Sequence, residues 1–303
     1  MKTIKPDVTY STHSRFNIPS GIVEPGEEFR VQTELCSGQW LQSIDDQFSP
    51  EKAEGCNPSV CVGVSGAGPG DTLAVHILDI LPDPIGYTGF DGHDRGLSLP
   101  WLISRMDMGV VTKTVEIRDG FVEWSPTIKL PVRPMIGTLG VATAYEELMN
   151  SKGGTHGGNM DVQEVAAGVT VYLPVEVDLA LLHIGDCHAI QGDGEINEGG
   201  GIECRAEVIM RVDVLKDLPR RLCVRMENSG YIMTVSCERS LEESFYTAAG
   251  EMLDWLIEYG FSPEEGYLLM GQILQARATQ FVNPTRSYIC KMPKRFLDKP
   301  PRL

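Results

Sequence analysis

Short β-branched or alternating runs, each closed off by glycine or proline, are the feature that most limits what this chain can become. EEFRVQTEL (27–35), DTLAVHILDI (71–80), VVTKTVEI (110–117), GFVEWSPTIKL (120–130), VTVYLPVEV (169–177), AEVIMRVDVL (206–215) and YIMTVSC (231–237) have the length and residue types of strands bounded by turn signals. With 32 glycines and 19 prolines among 303 residues, such punctuation recurs along most of the chain. EIRDGFVEW holds Asp119-Gly120 at its centre, the signature of a two-residue hairpin turn. Helical periodicity is confined to the end. SLEESFYTAAGEMLDWLIEYG spaces Ser240 three residues before Glu243, a capping box, and stops at Gly260. SPEEGYLLMGQILQARATQFV repeats the pattern, with Ser262 as cap, Pro263 in the first turn and Pro284 beyond the end. The expectation is an α+β protein, predominantly antiparallel β in sandwich-like sheets with two C-terminal helices. It is read as one unit over 1–303, β-rich over 1–238 and helical over 239–285.

Composition narrows the function classes. Lys and Arg total 26 against 42 Asp and Glu, a net charge of -16, which argues against a phosphate-backbone partner that must recruit clustered basic residues. No window approaches the roughly 18 apolar residues of a spanning helix, and MKTIKPDVTYSTHSRFN lacks the apolar core of a secretory signal. The expectation is a cytoplasmic protein with no membrane partner. The eight cysteines are scattered without a CxxC pair, so they are expected to be reduced and mostly buried.

The chemistry concentrates in LLHIGDCHAIQGDGE (181–195). Asp186, His188, Asp193 and Glu195 fall within ten residues, and Glu203 follows. In a strand, alternate residues share a face, so Asp186 and His188 point together if the strand runs through them. Imidazole plus carboxylates is a ligand set for a divalent ion with an open position, and a further carboxylate then serves as general base. The plain alternative is a solvated Asp/Gly turn. A second cluster, KGGTHGGNMD (152–161), offers His156, Asn159 and Asp161 between glycines, or else an ordinary tight loop. His13 is expected in a surface or packing role and His76 as a satisfied sheet histidine, while His93 lies in a long stretch (83–109) of little periodicity. Cys187, between Asp186 and His188, would face away from His188 in a strand, which weakens it as a nucleophile.

Taken together, HSRFNIPSGIVEPGEEF, GAGPGDTLAVHI, PVRPMIGTLGVA, HGGNMDVQEVAAGVTVYLPVEV, LLHIGDCHAIQGDGEI and ATQFVNPTRSYICKMPK resemble, in order, the motifs of the acetamidase/formamidase family. That resemblance implies hydrolysis of a small carboxamide to ammonia and a carboxylate, on a β-rich fold that self-assembles, with a divalent metal at the site. His156, Asn159, Asp161, Asp186, His188, Gln191, Asp193, Glu195 and Glu203 stand at pattern positions. The chain departs from the pattern in TELCSGQ, with Leu35, Cys36 and Ser37, and at Gln275.

The resulting expectation is a metal-assisted hydrolase of linear C–N amide bonds. Asp186, His188 and Glu203 hold the ion, with Asp161 and His183 as further candidate ligands. Glu195 or Asp193 moves the proton, and His156, Asn159 and Gln191 contact the substrate. Mixed nitrogen and oxygen ligands suit zinc, while oxygen-rich sites also take calcium or manganese. The expected partners are a small-molecule amide and further copies of the chain in a homo-oligomer, dimer or higher. The alternatives are a lactam or other amide hydrolase, and a catalytically retired relative that binds a metabolite or serves in assembly.

Overall fold

Residues 1–54, 56–90, 110–197 and 199–297 are described by the computed structural model; His93 lies outside them. One nine-stranded sheet runs in the order Lys2–Ile4, Glu28–Gln32, Ala206–Leu215, Thr72–Pro82, Thr170–Pro174, Val224–Glu227, Tyr231–Glu238, Arg286–Pro293 and Gln275–Ala278. Only its first pair is parallel. The second runs Ile128–Pro131, Phe121–Ser125, Val111–Arg118, Ile85–Phe90, Glu203–Cys204, Leu182–His188, Ser59–Val64 and Gly21–Val23, with Met135–Val141 pairing along Leu182–His188.

The sheets pack face to face. A single apolar cluster joins Phe29, Val31, Val75, Val208 and Met210 of the first to Val60, Val62, Ile136, Leu139, Leu182 and Ile184 of the second. Ala206–Leu215 alternates buried and half-buried residues, as expected of a sheet with one face in the core. By contrast, Ser59–Val64, Met135–Val141 and Leu182–His188 are buried at every position. Any polar side chain on those three strands must therefore find its partners inside the protein.

The local signals act as their chemistry dictates. Asp119 (φ 53°) and Gly120 (φ 78°) both adopt left-handed conformations, and Arg118 pairs with Phe121 across the turn. Helix α1 (Leu241–Glu258) is capped by Ser240, which accepts from the Glu243 amide at 3.1 Å. Helix α2 (Pro263–Ile273) is capped by Ser262 in the same way. Met252, Trp255 and Leu256 of α1 and Met270 of α2 close over Ile232, Cys290 and Met292 of the first sheet.

Two expectations need correction. GFVEWSPTIKL is not one strand but two, Phe121–Ser125 and Ile128–Pro131, folded back on each other. The second helix ends at Ile273, because Leu274 is extended and Gln275–Ala278 adds to the free edge of Arg286–Pro293. The helical part therefore stops short of 285, and Gln275 is an exposed edge residue.

Candidate functional site

The strand Leu182–His188 organises the polar interior. Met135–Val141 takes one of its edges throughout, while the other edge changes partner half-way. Leu182–Gly185 pair with Ser59–Val64, and Cys187 and His188 pair with Cys204 and Glu203. Asp186 sits at that switch with φ 55°. The turn of backbone aims its carboxylate beside His188, whose register partner is Glu203. Asp161 and Glu195 join from two glycine-rich loops, with φ 47° and 37°. Three of the four clustered carboxylates thus occupy a region costing roughly 1 to 3 kcal/mol for a side-chain-bearing residue, the kind of strain found where function fixes geometry.

Two glycines make room for the convergence. A Cβ at Gly137 would lie 2.5 Å from Asp161 Oδ1 and 2.7 Å from Asp186 Oδ2. One at Gly200 would lie 2.0 Å from Glu203 Oε1 and 2.7 Å from Glu195 Oε1. Asp161, Asp186, His188, Glu195 and Glu203 are all buried, and among the described residues His188 is the only ion-pair partner of these carboxylates. Asp161 Oδ1, Glu195 Oε2 and Glu203 Oε2 are buried without a hydrogen-bond partner. Glu203 Oε2 lies 3.1 Å from His188 Nε2 but off the axis of a hydrogen bond.

So much uncompensated acid shifts its own titration. Burial, then the neighbouring Asp186, pushes Asp161 up to about 7. Burial likewise pushes Glu203 to about 7, against the pull of His188. Burial and Asp161 hold Glu195 well above the carboxylate range. Burial alone would lower His188, but Glu203 and Asp186 outweigh it and raise it well above 6.5.

Donor geometry decides which nitrogen of His188 faces the acids. Gln191 Nε2 donates to the Asp161 carbonyl at 3.0 Å and the Thr279 carbonyl at 3.2 Å, so its Oε1 faces His188 Nδ1 at 2.9 Å. An amide oxygen only accepts, so Nδ1 carries a hydrogen and Nε2 points at Asp186 Oδ1 (3.4 Å) and Glu203. A lone pair aimed at two carboxylates is repulsive. Either a proton or a cation must sit between them. Overlapping sets of ligand atoms, Asp161/Asp186/His188 and His188/Glu195/Glu203, lie within 4.8 Å of one another. Orphaned oxygens, the glycine clearances and the mixed imidazole–carboxylate donors all fit a divalent cation.

The surrounding shell was largely invisible in the sequence. Asn57 (φ 46°) donates to Asp186 Oδ2 at 2.9 Å, and Asn283 donates to Asp161 Oδ2. Thr138 donates to Asn159 Oδ1 at 2.8 Å, its hydroxyl 3.4 Å from Asp186 Oδ2. Cys36 also faces the cluster, its sulfur within 4.8 Å of ligand oxygens of Asp186 and Glu203. Burial, then Glu203, keeps that thiol well above its usual range. No local pattern marks these residues, because each arrives from a distant segment.

Other expected site residues are placed elsewhere. Asp193 is 70% exposed and paired with Arg277 at 2.8 Å, because the Gly192–Gly194 turn sends it outward while Glu195 turns in. Gln191 has both ends of its amide taken, leaving no group for a substrate. His183 and His156 stand with His13 in a separate buried imidazole cluster. Ring centroids are 4.7 Å apart for His13–His183 and 4.9 Å for His13–His156. His183 is fixed by Ser59 at 2.8 Å and Asn17 at 3.2 Å. Burial lowers His156 to about 4 and His183 to about 3. His13, expected near the surface or in packing, is wholly enclosed. His76 is a sheet histidine bonded to Thr170 and Asp213. Cys187 belongs to the apolar core, and burial pushes its thiol to about 12, so it is no nucleophile at this site. A separate half-open cavity of about 730 Å³, walled by Tyr172, Trp255, Arg221 and Glu258, takes in none of the cluster residues.

The acetamidase/formamidase family model matches residues 150–298, which contain Asp161, Asp186, His188, Glu195 and Glu203. The solved structure of a recombinant predicted acetamidase/formamidase from Thermoanaerobacter tengcongensis covers 98% of this chain and 97% of its own, with TM-score 0.89 and 30% identity. The chain belongs to the acetamidase/formamidase family. The acetamidase structure from Bacillus halodurans is similar at TM-score 0.88 and 28% identity, covering 97% of this chain and 98% of that one. The acetamidase of Mycolicibacterium smegmatis is 26% identical over 86% of this chain and 84% of that protein. One departure from the family pattern, Cys36, faces the cluster, while Leu35 and Gln275 lie outside it. Leu35 is buried against Leu41 and Tyr87, and Gln275 is exposed on the edge strand.

Proposed function

We propose that the buried carboxylate–imidazole cluster hydrolyses the C–N bond of a small linear carboxamide, of the acetamide and formamide class, to a carboxylate and ammonia with the help of a divalent cation. The observation that carries this is the convergence of four buried carboxylates on one imidazole with no basic partner among the described residues. Family membership supports the substrate class. Asp186, His188 and Glu203, with Asp161, are the residues that would hold the cation. When bound, a divalent cation supplies Lewis acidity to an amide carbonyl and acidifies water.

Glu195, with a buried and unpartnered Oε2, is the group we assign to take a proton from water and return it to the leaving nitrogen. Asn159, tethered by Thr138 beside Asp186, is the side-chain amide we assign to the substrate's carboxamide. Burial keeps bulk water from competing for these contacts and strengthens each of them. Zinc is the cation assigned, because imidazole and carboxylate donors are mixed. No helix among the described residues is long and apolar enough to cross a membrane. The exposed Phe16, Ile18 and Tyr145 support self-assembly, measurable by sedimentation.

Ammonia release from formamide, acetamide, longer linear amides and a lactam tests the reading. The short linear amides should turn over, and Glu195→Gln should lower kcat by roughly a hundredfold to ten-thousandfold without unfolding the protein. A folded, cation-loaded protein that hydrolyses none of them would refute the proposal and leave a metabolite-binding or assembly role. Preference for the lactam would redirect it.

A further inference from the structure

We propose that Cys36 supplies a thiolate ligand to the cluster, so that the site selects a thiophilic divalent cation, zinc above all, over calcium or manganese. This rests on reading the cluster as a cation site. The Cys36 sulfur, an Asp186 oxygen and a Glu203 oxygen lie within 4.8 Å of one another, a third donor set that shares both carboxylates with the imidazole-bearing ones. Donors on one tetrahedral zinc, with bonds of about 2.3 Å to sulfur and about 2.1 Å to oxygen, are about 3.6 Å apart. Closing the set onto one ion therefore needs movements of only about an ångström. Glu203 already carries a buried oxygen with no hydrogen-bond partner.

The residues behind the sulfur are suited to an anion. Trp40 Nε1 donates to Ser37 Oγ at 2.8 Å, Ser37 Oγ meets Tyr87 Oη at 2.8 Å, and Tyr87 Oη meets Cys36 Sγ at 3.4 Å. An indole nitrogen can only donate, so the row can run from Trp40 through Ser37 and Tyr87 with every proton directed toward sulfur. The row is braced by packing: the Trp40 and Tyr87 rings meet edge to face at 4.8 Å, and Phe48 stacks on Tyr87 at 6.3 Å. On the other side of the sulfur lie the carboxylates, which would repel a bare thiolate. A cation in place of the thiol proton lets the same sulfur, as an anion, serve both sides. On coordination the S–H bond breaks as the S–metal bond forms, and the proton leaves to solvent. Sulfur is the donor that distinguishes this site from an all-oxygen one, because soft thiolates favour zinc and its neighbours while calcium and manganese prefer oxygen.

The test is optical. The full chain, stripped by chelator, is titrated with Co²⁺ while the near-ultraviolet sulfur-to-cobalt charge-transfer band is followed. Wild type is compared with Cys36→Ser and, as a control, Cys56→Ser. The band should rise to saturation in wild type and in Cys56→Ser and be missing from Cys36→Ser, which still binds Co²⁺ more weakly. Zn²⁺ affinity should fall more than about tenfold in Cys36→Ser, the least expected when a direct donor is lost given what outer partners are worth. Ca²⁺ and Mn²⁺ affinities should stay within about threefold. Co²⁺ bound to wild type without a charge-transfer band, or a band that survives in Cys36→Ser, overturns the thiolate ligand while leaving the cation site standing. Absence of any Co²⁺ binding by folded wild type overturns the cation site itself. A missing wild-type band decides against the thiolate even if Cys36→Ser fails to fold, and Cys36→Ala then replaces it in assigning a band that is present.

Discussion

Replacing Gln191 by methionine removes the group that orients the cluster's imidazole while keeping the volume. Three hydrogen bonds vanish, of 2.9 Å to His188 Nδ1, 3.0 Å to the Asp161 carbonyl and 3.2 Å to the Thr279 carbonyl. At about 0.5 to 1.5 kcal/mol net for each buried bond, unfolding stability should fall by about 2 to 4 kcal/mol. The second effect is more diagnostic. With Nδ1 no longer held, the ring is free to change tautomer and turn, and cation affinity should fall by about tenfold to a hundredfold, the usual cost of losing an outer partner of a histidine ligand. Chemical denaturation reads the first effect and calorimetric titration with Zn²⁺ the second. Gln191→Glu, which keeps an acceptor for Nδ1, should recover part of the cation affinity. A Gln191→Met protein that is destabilised but binds Zn²⁺ within twofold of wild type would refute the tautomer argument. A raised KM with unchanged cation affinity would instead make Gln191 a substrate contact.

The imidazole cluster predicts acid sensitivity. His156 at about 4 and His183 at about 3 lie below the ordinary 6.5, so each unfolded ring binds a proton that the folded one refuses. Their contribution is complete above about pH 6.5 and is lost as pH falls toward 4 and 3, about 3 kcal/mol from His156 alone. Asp161 and Glu203, raised to about 7, act in the opposite sense between roughly pH 7 and 4. The histidine part is therefore the difference in denaturation slope between wild type and His156→Gln; parallel slopes would refute it. Gly137→Ala places a methyl 2.5 Å and 2.7 Å from two clustered carboxylate oxygens and should cost about 1 to 3 kcal/mol together with most cation binding, checked by the same two methods.

What could be read from the chain was what local chemistry fixes. Asp119-Gly120 adopts the two left-handed conformations its residue types favour, and Ser240 and Ser262 cap the turns that follow them. Asp186 and His188 were legible because alternate residues of one strand share a face, whereas Glu203 rested on the family pattern and the fold adds that it is the register partner of His188. Alternation failed one loop later: Asp193 and Glu195 are equally spaced, but positive φ at Gly194 and Glu195 separates one into solvent and the other into the cluster. Periodicity also misled at QARATQ, which suits a helix until the unpaired edge of Arg286–Pro293 offers hydrogen bonds to an extended chain. Asn57 carried no local signal, while Cys36 stood out only as a departure from the family pattern and Asn283 only as part of a family motif, since it takes the folded sandwich to set them beside Asp186, Glu203 and Asp161. His183, a candidate ligand by its place beside Asp186 and His188, is held instead by Ser59 and Asn17 in the separate imidazole cluster with His13, a grouping that only the fold creates.

The most direct measurement is ammonia release from acetamide by chelator-stripped protein as Zn²⁺ is added back, with the bound metal counted in the same samples. Activity should be absent at the start and rise in proportion to bound cation until the cluster is filled. Undiminished hydrolysis by protein shown to hold no metal would contradict the account.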